Sequence, residues 1–90
     1  MKVKPGFRLR TICGENIIVG EGLSQVNFNK MISLNESAAY LWKEISARDS
    51  FSVKDLTDLL LAEYDVEEAV AARDAGAIAA KWIEVGIIDE

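Results

Sequence analysis

The chain has no histidine, one cysteine, one proline and no apolar run of the roughly 18 residues that spans a bilayer. The missing histidine removes the commonest general base. With Cys13 as its sole companion, neither a thiolate–imidazole pair nor a zinc cluster can form within one chain. Cys13 also has no partner for an intrachain disulfide. Gly14, Gly20 and Gly22 do not fall at the spacings of a Walker or dinucleotide loop, and no D-x-D-x-D-G run offers a calcium loop. No enzymatic activity, metal or cofactor is therefore expected. Basic residues near Met1 have no apolar stretch behind them, so no signal peptide is visible; the expected compartment is the cytoplasm, with no membrane partner.

Half of the 90 residues are hydrophobic and 28% are charged, the balance of a chain that buries a core, and the length predicts a single domain over residues 1–90. The net charge of −5 hides an asymmetry: residues 1–54 carry eight basic and five acidic side chains, whereas residues 55–90 carry two and ten. A partner surface can be polarised accordingly.

The N-terminal third reads as strands. Phe7-Arg8-Leu9-Arg10-Thr11-Ile12 begins with apolar and basic residues alternating, the period of a half-buried strand. Gly14-Glu15-Asn16 supplies turn chemistry before the β-branched run Ile17-Ile18-Val19, which suits the second arm of a hairpin. An imperfect alternation from Val26 to Leu34 predicts a third strand.

After Leu34 the apolar period lengthens to that of a helix, with Ala38, Leu41, Trp42 and Ile45 on one stripe and Asn35 placed to cap it. Ser52-x-x-Asp55 reads as a capping box for a second helix with Val53, Leu56, Leu60 and Tyr64 on one side. Asp65-x-x-Glu68 predicts another box, opening a third helix that runs to about Val85 and stops at Gly86 in the left-handed conformation. Two stripes share this helix: Ala71, Ala75, Ile78, Trp82 and Val85 as core, and Ala72, Gly76, Ala79 and Ile83 beside them. The second stripe is unusually small, so either another element of the domain or a partner peptide is expected to approach closely there.

The run Leu34-Asn35-Glu36-Ser37-Ala38-Ala39-x-Leu41-Trp42, then Leu60-x-x-x-Tyr64-Asp65-Val66, then Asp74-x-x-x-Ile78-x-x-x-Trp82-x-x-x-Gly86-Ile87-Ile88, resembles the PqqD-like family, named for pyrroloquinoline quinone biosynthesis protein D. The similarity extends from Phe7 to Ile88, although Val26–Met31 is longer and richer in asparagine than in the founding type. The resemblance implies an α+β, winged helix-turn-helix-like domain of three N-terminal antiparallel strands followed by three helices. It further implies a recognition element that binds the leader segment of a ribosomally made precursor peptide and presents it to a modifying enzyme, often a radical S-adenosylmethionine protein. The leader adds as a strand on the third strand and lies against the third helix. Carried over by position, the expected peptide-binding residues are Val26, Asn27, Phe28, Asn29, Lys30, Met31, Ile32 and Ser33 on the strand, with Ala72, Gly76, Ala79 and Ile83 as the groove wall. Asp74 is expected to make a structural hydrogen bond or ion pair.

Two other classes compete with this reading. A winged helix is also a DNA-binding shape, but Asp65, Glu67, Glu68, Arg73, Asp74, Lys81 and Glu84 on or beside the would-be recognition helix sum to −3, and phosphate repels that. No nucleic-acid partner is expected. A generic protein-interaction or oligomerisation domain remains the alternative.

Overall fold

The computed structural model describes residues 1–20 and 31–90. Strands β1 (Lys2–Val3), β2 (Phe7–Ile12), β3 (Glu15–Gly20) and β4 (Met31–Leu34) are followed by helices α1 (Glu36–Ser46), α2 (Val53–Glu63) and α3 (Glu68–Val85), and by strand β5 (Ile88–Asp89). β2, β3 and β4 form an antiparallel sheet in that order, and β1 pairs antiparallel with β5. The expected α+β class and its three strands before three helices are present. The second small sheet is additional, because a two-residue strand is too short to show a period in the sequence.

Each element has a local cause. In the β2–β3 hairpin the turn is Cys13-Gly14, flanked by the Ile12–Glu15 pair, one residue earlier than the expected Gly14-Glu15-Asn16. Both turn residues have positive φ, 53° and 80°, as a two-residue type I′ turn requires to match the strand twist. Only the Met31–Leu34 end of the predicted third strand is described; Val26–Lys30 lies outside the described residues.

Asn35 caps α1 as expected, its Oδ1 accepting from Ala38 N at 2.9 Å, and the Ser52–Asp55 capping box of α2 is complete in both directions. The predicted box at Asp65 does not form. Helix α3 starts at Glu68 with Glu67 at the cap position and no side-chain cap bond, so Asp65-Val66-Glu67 is linker rather than first turn. Glutamate is a poor cap, and the start of α3 is left to its packing against α2. At the other end Gly86 adopts φ 84°, its N–H donating to Ile83 O and the Ile87 N–H to Trp82 O, the paired bonds of a Schellman stop.

The core lies between the sheet's inner face and the helices. Leu9, Ile18 and Ile32 stand in register across the three strands and meet Leu41, Trp42 and Ile45 of α1, Leu56 and Leu60 of α2, and Ala71, Ala75, Ala79 and Trp82 of α3. Trp42 and Trp82 sit edge-to-face with centroids 5.4 Å apart. Ile87 and Ile88 are buried behind them, as their position after Gly86 predicts. Among the described residues no helix is long and apolar enough to cross a membrane.

Candidate functional site

β4 is the last strand of its sheet, and no described strand pairs with its outer side. An edge of this kind presents alternate backbone N–H and C=O groups outward. Directly after Leu34 the chain turns through Asn35 into α1, so the strand, the turn and the first turn of the helix form one continuous border.

Helix α3 faces this border across an open cleft with two adjoining parts. One part, about 260 Å³, lies between Ile32, Ser33 and Leu34 of β4 and Ala77, Ile78, Lys81 and Trp82 of α3. The other, about 470 Å³, continues past Asn35, Glu36 and Ser37 to Leu60, Tyr64, Val66, Ala71 and Asp74. Asn35 and Ile78 border both parts. The floor is apolar: Leu60, Ala71 and Trp82 are buried there, Ile78 and Tyr64 are half-buried, and Val66 is 40% exposed in the α2–α3 linker.

Charge is confined to the rim. Asp74 and Glu36 stand at the wide end and Lys81 at the end beside β4, all three exposed and none in an ion pair with any described residue. The expectation of a structural bond for Asp74 is therefore corrected: its carboxylate has no hydrogen-bond or ionic partner among the described residues and borders the cleft. Tyr40 supports the wide end from behind, packing edge-to-face on Tyr64 at 6.1 Å and donating from its hydroxyl to Leu59 O at 3.3 Å. Its phenol is held above the usual tyrosine range by burial, reinforced by the carboxylates of Glu44 and Glu63.

Of the twelve residues expected to bind, Met31, Ile32 and Ser33 are on β4, with Ile32 and Ser33 bordering the cleft, and Val26–Lys30 lies outside the described residues. The four helical residues do not border it. Ala79 is buried in the core, 3% exposed, while Ala72 is exposed and Ile83 packs partly against the core. A Cβ added at Gly76 meets nothing within 4 Å, so no described residue makes the close approach its small size suggests. At 100° per residue Gly76 lies about 160° round the helix from Ile78, and the small stripe therefore sits on the opposite flank from the cleft.

Sequence reasoning missed Ala77, Lys81, Tyr64 and Val66. No local signal marked them, since a singly exposed apolar residue such as Val66 is ordinary on a protein surface.

A three-stranded antiparallel sheet ahead of three helices, with its last strand unpaired among the described residues and bordering a helix-walled apolar cleft, defines a winged-helix-like domain. The family model for Coenzyme PQQ synthesis protein D (PqqD) matches residues 17–88, and the chain belongs to that family. The solved structure of lasso peptide synthetase B1 complexed with the leader peptide is similar in fold, with a TM-score of 0.73 at 21% identity over 99% of this chain and 96% of that one. TbiB1 in complex with the TbiA(beta) leader peptide gives a TM-score of 0.74 at 16% identity over 99% and 95% of the respective chains. No curated protein matches the chain by sequence.

Proposed function

We propose that this chain is a non-catalytic module that captures the leader segment of a ribosomally made precursor peptide and presents it to a modifying enzyme. The observation that carries the reading is the juxtaposition of the open β4 edge with the cleft along α3. Backbone bonding to the edge supplies affinity for any extended chain, and the cleft reads alternate side chains. Membership of the PqqD family, and the two similarly folded proteins with leader peptides bound, support the same reading. The strand half of the site remains Val26–Ser33. The helical half is Asp74, Ala77, Ile78 and Lys81 rather than the small-residue stripe.

The test uses synthetic leader segments from any short peptide reading frames found to flank this gene, titrated by calorimetry and followed by tryptophan fluorescence, Trp82 lying in the cleft floor. Ile78→Glu places a carboxylate where both parts of the cleft meet and is expected to weaken binding at least tenfold, with the helical circular dichroism retained. Gly76→Leu, on the opposite flank, is expected to bind as the wild type does. Loss of binding in Gly76→Leu with retention in Ile78→Glu would return the site to the small stripe, and no binding by the wild type would sink the reading.

A further inference from the structure

We propose that Asp74 and Lys81 fix the direction and charge pattern of the bound peptide: a basic side chain toward its N-terminal end, an acidic one four residues later, and an apolar one between them. This inference rests on the peptide-capture reading and says which peptides the site prefers.

The two charges border one cleft on one flank of α3, neither is in an ion pair with a described residue, and apolar surface separates them. Lys81 lies beside Ile32 and Ser33, whereas Asp74 shares the wide end with Glu36 and Ser37, so α3 runs antiparallel to the β4–Asn35 border. A peptide adding antiparallel to β4, as every other pair in this sheet is antiparallel, passes Asp74 first and Lys81 last.

Seven helical residues separate the two charges by roughly 10.5 Å along the axis. Side chains on one face of a strand recur every second residue, and positions i and i+4 are roughly 13–14 Å apart, within the reach of long charged side chains. Position i+2 then faces Ile78. Charge complementarity sets orientation and selects partners more than it raises affinity, so its mark is a preference between peptides of identical composition.

The probes are two synthetic heptapeptides, Thr-Lys-Thr-Leu-Thr-Glu-Thr and Thr-Glu-Thr-Leu-Thr-Lys-Thr, titrated into the whole chain and followed by the amide resonances of Ile32–Asn35 and of Asp74–Trp82. The lysine-first peptide is expected to bind at least fivefold tighter, and the double reversal Asp74→Lys with Lys81→Asp to invert the preference. Loss of the preference in 1 M salt, where charges are screened within about 3 Å, supports the same assignment. Equal binding of both peptides at these resonances, or a preference that the double reversal leaves unchanged, overturns the charge rule while peptide capture stands. A glutamate-first preference overturns the antiparallel direction. If neither probe nor the cognate leader moves these resonances, the capture reading fails and takes this inference with it.

Discussion

Trp42 is 2% exposed and stands edge-to-face on Trp82, which couples α1 to α3 beneath the cleft. Trp42→Ala is expected to cost about 3–5 kcal/mol in urea unfolding. A double-mutant cycle with Trp82→Leu is expected to assign about 0.5–1.5 kcal/mol of this to the ring pair itself. Tyr40 gives a pH-dependent test. Its folded-state phenol is held above the ordinary value of 10.0, so folding favours the neutral ring; that contribution is full below about pH 10 and is lost as pH rises through the folded-state value. Tyr40→Phe removes the bond to Leu59 O and is expected to lower stability by about 0.5–1.5 kcal/mol at pH 8. As pH rises above 10 the gap between variant and wild type is expected to narrow. An unchanged gap would show that the phenol titrates alike in both states.

At the level of elements, the two ends of α3 obey different rules. Its stop is written in the backbone: Gly86 at φ 84° is strained by any Cβ, and Gly86→Ala is expected to lower stability by about 1–2 kcal/mol in thermal melts. Gly76, with open space where its side chain would be, is expected to respond oppositely, Gly76→Ala gaining about 0.8–1 kcal/mol from helix propensity. Such contrasts mark what the sequence discloses. Asn35, the Ser52–Asp55 box, Gly86 and the stripe of Ala38, Leu41, Trp42 and Ile45 act within a turn or two of chain, and all were legible. The start of α3 was not, because its cap lacks a side-chain bond and distant packing decides where the helix begins. Nor was the flank of α3 that borders the cleft: finding it needs the position of β4, which the helix's own period does not contain.

At the scale of the molecule, both ends of the described chain are tied into the body. β1 pairs with β5, the Lys4 N–H donates to Ile87 O, and Met1 and Phe51 exchange backbone bonds in both directions. Removing residues 1–4 uncovers Ile87, Ile88 and Phe51 and is expected to cost about 2–4 kcal/mol at about 0.5–1.5 kcal/mol per lost bond. An unchanged chemical-denaturation midpoint would show that the small sheet is ornamental to folding. The border between β4 and α1 has a different consequence. Asn35 is the only residue between the strand and the helix, and its Oδ1 already serves Ala38 N–H and Ser37 Oγ–H. A guest that draws this oxygen away gives up a cap worth about 1 kcal/mol and loosens the first turn of α1; one that leaves it in place holds the strand and tightens that turn. A guest on this edge would then be read in the hydrogen-exchange rate of one amide, that of Ala38, whose N–H the Asn35 side chain holds.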